Sequence, residues 1–148
     1  MSLMALIGCS VLLAGCASQS EVVFCPTISA PEEGARSFVR SDNTKQIFDI
    51  RLNGVNAVCT QHNSGGTMVA LSVGLKIKRS LAEGKANDVI AVPMMSAIVD
   101  ANQTVIDNQE FGYRVGFDKG SDRKFPVAEI EQLVPADARL VISLRPAY

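Results

Sequence analysis

The sequence predicts an all-β protein, an antiparallel β-sandwich that follows an apolar N-terminal segment. Three observations predict it. Apolar and polar residues alternate over several runs, the period of strands with one buried face. Turn-forming residues punctuate these runs at regular spacing, which indicates two packed antiparallel sheets. The 148 residues are 47% hydrophobic and 20% charged, enough for one domain with a core and too apolar for a disordered chain.

Each element follows from its local pattern. In QIFDIRLNGVNAVCT, Gln46 to Thr60, Phe48, Ile50 and Leu52 alternate with Asp49 and Arg51. Asn53-Gly54 comes next, and both residues tolerate the positive φ of a type I′ turn. The pattern therefore predicts a hairpin there, with a return strand from Val55 to Thr60 that delivers Cys59. A loop from Gln61 to Gly66 leads into the longest alternating run, TMVALSVGLKIKRS. Val69, Leu71, Val73, Leu75 and Ile77 are expected to face inward, and Ala70, Ser72, Gly74, Lys76 and Lys78 outward. Gly74 suggests a bulge or bend.

A polar connection, Ala82 to Asp88, precedes VIAVPMMSAIVD, Val89 to Asp100. Pro93 cannot donate to a ladder, which predicts an edge position or a bulge rather than a central strand. A turn at Ala101 to Gln103 precedes Thr104-Val105-Ile106. Phe111, Tyr113, Val115 and Phe117 then alternate up to a turn at Gly120-Ser121-Asp122. The stretch FPVAEIEQLVP, Phe125 to Pro135, reads as a strand or a single short helical turn. RLVISLR, Arg139 to Arg145, closes the domain with Leu140, Ile142 and Leu144 on one face. Seven or so strands in this arrangement look like immunoglobulin or fibronectin type III domains. Without tryptophan or the immunoglobulin cysteine spacing, that likeness is one of architecture.

The N-terminus follows a different logic. Leu3 to Ala14, LMALIGCSVLLA, is almost wholly apolar, and the first basic residue is Arg36. As a helix it would be roughly 18 Å long, short of a ~30 Å hydrocarbon core. Such a segment reads as the core of a signal peptide, although Met1-Ser2 lacks the usual basic residue. Leu13-Ala14-Gly15-Cys16 resembles the lipobox of bacterial lipoproteins: an aliphatic residue, two small residues and a cysteine directly after the apolar core. The resemblance implies cleavage before Cys16, a diacylglyceryl group on its thiol and acylation of the freed amino group. Residues 1–15 would then be the signal peptide, 16–24 a lipidated tether and 25–148 the sandwich. Two or three acyl chains hold a protein at a membrane without a transmembrane helix. Ala17 stands where inner-membrane lipoproteins carry Asp, so the resemblance favours the bacterial outer membrane, facing the periplasm. The tether reaches at most roughly 30 Å, which confines the protein to partners at its own membrane.

On that reading Cys9 leaves with the signal peptide and Cys16 is lipidated. Cys25 and Cys59 remain as a pair in a compartment that favours disulfides. Closing residues 25–59 would contribute roughly 4 kcal/mol in the chain-entropy model. A redox or zinc site fits less well, because there is no C-x-x-C and the one histidine has only two distant thiols for company.

Few residues invite chemistry. His62 stands in a loop, and no G-x-S-x-G supplies a nucleophile for it. Gly65-Gly66 lacks the Lys-Ser/Thr of a phosphate loop. Glu110, Asp118 and Asp122 match no calcium loop and stand among Lys119, Arg123 and Lys124. Met94-Met95 reads as core filler. Lys76, Lys78 and Arg79 form the densest basic cluster, a candidate for contact with a partner or anionic headgroups, or else a charged edge that blocks aggregation. A net charge of −1 argues against nucleic acid as the main partner. No catalytic set, metal or cofactor is expected. The expected role is a non-catalytic interaction module in the bacterial envelope; the alternative is a carrier for a small apolar or glycan ligand.

Cys25-Pro26, a second cysteine after the predicted hairpin, and the run Val89-Ile90-Ala91-Val92-Pro93 resemble small lipoproteins of alphaproteobacteria. Accessory lipoproteins of the outer-membrane β-barrel assembly machinery in that group look similar. The resemblance implies a role in outer-membrane assembly or maintenance, with an envelope protein as partner.

Overall fold

Alternation along the chain becomes two sheets packed face to face. The computed structural model describes residues 21–79 and 86–145. The strands are β1 (Ile28–Ser29), β2 (Arg36–Arg40), β3 (Ile47–Gln61), β4 (Thr67–Arg79), β5 (Asp88–Val99), β6 (Val105–Phe117), β7 (Arg123–Lys124), β8 (Val127–Val134) and β9 (Arg139–Leu144). One sheet runs β2-β3-β4, with β7 and β8 following each other along the far side of β4. The other runs β1-β9-β5-β6, and its only parallel pair is β1 with β9. The stretch from Phe125 to Pro135 is thus a strand. The expected signal peptide, Cys16 and most of the tether lie outside the described residues, as does most of the connection from Ala82.

The inward faces form the core. Phe48, Ile50, Val69, Leu71, Val73, Leu75 and Ile77 come from the first sheet, and Val92, Met94, Phe117, Leu140, Ile142 and Leu144 from the second. All are buried, as the alternation in β4 and β9 predicts. The Phe48 and Phe117 rings meet across the interface with centroids 5.0 Å apart.

Two expectations need correction. Asn53-Gly54 does not reverse the chain. β3 passes straight through it, and the register against β4 slips between the pairs Leu52–Leu75 and Val55–Val73. The two residues bulge opposite Gly74, where a Cβ would lie 2.8 Å from the Asn53 carbonyl oxygen. The positive φ of Gly54, 105°, serves a bulge instead of a turn. The hairpin turns later, at Gly65 and Gly66, with φ of 84° and 82°.

The second correction concerns Pro93, whose strand β5 is central, between β9 and β6. Proline fits because β9 ends beside it. Met94 pairs with Leu144, the last residue of β9, and the Arg145 N–H donates to the Pro93 carbonyl at 3.0 Å. The return bond that Pro93 cannot donate comes from elsewhere: the Ser37 hydroxyl donates to the Arg145 carbonyl at 2.7 Å.

One core-facing position breaks the apolar pattern of β5. Ser96 shares its face with Met94 and Ile98, is fully buried, and its hydroxyl has no partner among the described residues. An unpaired buried hydroxyl costs about 1–3 kcal/mol. Ser96→Ala is therefore expected to raise the unfolding free energy by about 1 kcal/mol, read from urea denaturation. A drop in stability would mean that the hydroxyl is paired.

Candidate functional site

The outward face of the β2-β3-β4 sheet gathers six of the protein's 14 lysines and arginines. In β2, Ser37 is buried, so Arg36, Phe38 and Arg40 point outward. In β3, Phe48 and Ile50 are buried, which turns Ile47, Asp49 and Arg51 outward. In β4, Lys76 and Lys78 alternate with buried Leu75 and Ile77. Register then sets the rows. Arg36, Arg51 and Lys76 stand side by side, and the next row is Phe38, Asp49, Lys78 and Arg123. Arg40 lies beside Ile47. Arg51, Lys76, Lys78, Arg123 and Asp49 line a shallow groove on this face.

Among the described residues Asp49 is the one carboxylate in that half of the face, and two arginines hold it. Arg36 grips it with both ends, Nε to Oδ1 at 2.8 Å and Nη2 to Oδ2 at 2.9 Å. Arg51 Nη2 reaches Oδ2 at 3.2 Å. The hydrogen bonds from Arg36, and secondarily from Arg51, hold the Asp49 carboxyl below the usual aspartate range, and the same contact raises Arg36. The Arg36 guanidinium also lies 4.6 Å from the centre of the half-exposed Phe38 ring. One carboxylate shared by two arginines leaves the face positive.

The structure divides the predicted basic cluster. Lys76 and Lys78 are exposed on this face. Arg79 is not: it is fully buried at the end of β4, pointing to the core side. Nη1 donates to the Ala86 carbonyl at 2.6 Å, Nη2 to those of Asp118 and Ser121 at 2.9 and 2.6 Å, and Nε to Ser121 at 3.0 Å. Its guanidinium lies 5.3 Å from the Phe117 ring centre. Arg79 is therefore removed from the candidate contact surface. The charged-edge reading also falls, because β4 is interior, with β3 on one side and β7 and β8 on the other. Arg36, Arg40, Arg51 and Arg123 were missing from the expected cluster, since only cross-strand pairing brings them beside the lysines.

Near Arg79, Asp88 is buried and bonded on both oxygens. Ser41 Oγ donates to Oδ1 at 2.7 Å and Thr44 Oγ1 to Oδ2 at 2.5 Å. Burial alone would raise the Asp88 carboxyl; the hydroxyls of Thr44 and Ser41, the Val89 N–H and the Arg79 charge together hold it below the usual range. A carboxyl lowered in the fold binds fewer protons than in the unfolded chain. Its contribution is complete above the unfolded pKa, about 3.9, and is lost as pH falls through the lower folded value. Stability is expected to fall below about pH 4, and Asp88→Asn to flatten that fall while lowering stability at neutral pH by about 2 kcal/mol. Denaturation curves across pH check both; an unchanged acid slope would refute the assignment.

Cys25 and Cys59 form a disulfide, with Cα atoms 5.2 Å apart. It sits where the N-terminal segment docks on β3. Val22 pairs with Thr60, the Val23 N–H donates to the Cys59 carbonyl at 2.9 Å, and the Gln61 N–H donates to the Glu21 carbonyl at 3.0 Å. The chain is thus held from Glu21 onward, four residues ahead of the expected domain start. His62 bonds locally, its Nδ1 2.7 Å from Ser64 Oγ. Glu110 pairs with Arg145, and Asp118 lies 3.6 Å from Lys124. Among the described residues no three His, Cys, Asp or Glu side chains gather as a metal site. Comparison with known proteins yields no match to a family model, a curated protein or a solved structure.

Proposed function

We propose that the protein is a lipid-anchored, non-catalytic interaction module of the bacterial envelope, held at the outer membrane through Cys16. The placement of the disulfide carries this reading. A Cys25–Cys59 bridge needs an oxidising compartment to persist, and it clamps the chain directly downstream of the lipobox-like Leu13-Ala14-Gly15-Cys16. An envelope protein of the outer-membrane assembly or maintenance machinery remains the proposed partner. A carrier would need a pocket between the sheets. The described grooves instead lie along the basic face, beside the Asn53-Gly54 bulge and near Asp88, so no observation favours that alternative.

Two measurements test the reading. Cells fed labelled palmitate should incorporate label into the protein, and Cys16→Ser should abolish it. Crosslinking in intact cells followed by mass spectrometry should recover an outer-membrane neighbour. An unlabelled protein found free in the cytosol would refute the anchor.

A further inference from the structure

The outward face of the β2-β3-β4 sheet combines two properties. The first is charge. Among the described residues, Arg36, Arg40, Arg51, Lys76, Lys78 and Arg123 share one half of it with Asp49 as the one carboxylate. Glu129 and Glu131 lie on the β8 margin, opposite Ser72 and Ala70, away from that half. The second is apolar exposure. Ten large apolar side chains are exposed among the described residues, and seven belong to this sheet or to the segment docked on it. Phe38 and Ile47 stand among the cations, Phe125 and Val127 flank the Asn53-Gly54 bulge, and Val22, Phe24 and Val58 lie at the other end. Phe24 is fully exposed.

The two ends have a fixed relation to the N-terminus. The chain enters the sheet beside Thr60, and Arg51 lies nine residues back along β3, about 30 Å at strand rise. Only residues 17–20 separate Cys16 from Glu21, a reach of roughly 17 Å. A face that starts at so short a leash, with an apolar end beside it and a basic field beyond, is shaped to lie along the surface that holds the leash. Basic side chains among exposed aromatic and aliphatic ones are how a protein binds the interface of an anionic bilayer.

We propose that this sheet face docks flat on an anionic phospholipid surface, with Phe24 and Phe38 at the headgroup level and the arginines and lysines against phosphate. The inference rests on the anchored reading for its geometry. The charge of the face suits an anionic surface and disfavours a neutral one. Its exposed apolar side chains among the cations suit the interfacial region of a bilayer.

The chain has no tryptophan, so one introduced residue reports alone. Phe38→Trp marks the proposed docking face, and Val89→Trp marks the outward face of the other sheet, where Val89 alternates with buried Ile90. Each envelope-purified variant is added to vesicles of phosphatidylcholine with brominated acyl chains, with or without phosphatidylglycerol. The anchor alone would retain the protein on both vesicle types. Docking is expected to shift the Phe38→Trp emission to the blue and quench it only where phosphatidylglycerol is present, leaving Val89→Trp unaffected. Adding Lys76→Gln and Lys78→Gln is expected to reduce the docked-to-undocked ratio roughly 25-fold, at about fivefold per charge. Absence of quenching at position 38 on anionic vesicles, or equal quenching at 38 and 89, overturns the proposal. Mass analysis of the N-terminal peptide reads the anchor separately: quenching at 38 in a protein without acyl groups on Cys16 would sink the anchor and keep the docking face.

Discussion

Replacing Arg79 by methionine is expected to lower the unfolding free energy by about 3–5 kcal/mol, through the loss of several charge-assisted hydrogen bonds at about 1.5–3 kcal/mol each. Methionine fills much of the volume of the arginine stem, so a cavity is not the main effect. The loss comes from the acceptors. The carbonyls of Ala86, Asp118 and Ser121 and the side chain of Gln46 all turn toward this guanidinium. Without it they lose this partner, at about 1–3 kcal/mol for each one that water does not reach. Asp88 also loses the positive charge that helps to keep it ionised. These groups come from the residue before β3, from the segment before β5 and from the turn after β6, so one side chain ties both sheets together at this end. Thermal unfolding should move down by about 6–20 °C for a chain of this size. A shift of only a few degrees would show that water satisfies the carbonyls and that the arginine is dispensable. Lys76→Met, an exposed neighbour on the opposite face, should change stability by less than about 0.5 kcal/mol.

The contrast between positions 76, 78 and 79 was legible in the sequence, because a strand puts Arg79 on the face of Ile77 and Leu75. Reading the three residues as one cluster followed chain proximity, where the period of two was the better guide. Alternation likewise located β4 and β9, whose named residues are buried, and parts of β3 and β6, where Phe48, Ile50, Val115 and Phe117 are buried and Leu52, Phe111 and Tyr113 only partly so. What it could not give was partnership. Arg36-Ser37-Phe38-Val39-Arg40 looks polar, and only pairing with Asp49 and Arg51 makes it one margin of a basic field. Asn53-Gly54 misled for a related reason. The pair supplies positive φ, which a turn and a bulge both use, and the choice was made by Gly74 on the neighbouring strand. Pro93 misled because a central strand tolerates proline where its neighbour ends, and the end of β9 is a tertiary fact. The lipobox-like stretch and the cysteine pair were legible without the fold, since their chemistry depends on order along the chain.

Cys25→Ser is expected to lower the unfolding free energy by about 4 kcal/mol, the chain-entropy value for freeing residues 25–59. Cys25 is the cleaner position, because Cys59 is buried and its remaining thiol can stay as a small apolar group. Thermal unfolding should fall by about 8–16 °C, and a reductant should bring the parent protein to the same value. If reductant changes nothing, the bridge adds no stability. The consequence for the docking face follows from where the chain is next held. Without the bridge, the short pairing at Glu21 to Val23 has little to retain it, and the following fixed point is the Leu140 N–H donating to the Thr27 carbonyl beside β1. The leash from Cys16 then lengthens from Glu21 to Thr27, roughly doubling its reach. Effective concentration falls as about the −3/2 power of length, so an anchored Cys25→Ser protein should show about a threefold lower docked fraction on anionic vesicles. Phe38→Trp quenching measures it at a temperature where the variant is folded. A docked fraction equal to the parent's would mean that the face holds the membrane without help from the clamp.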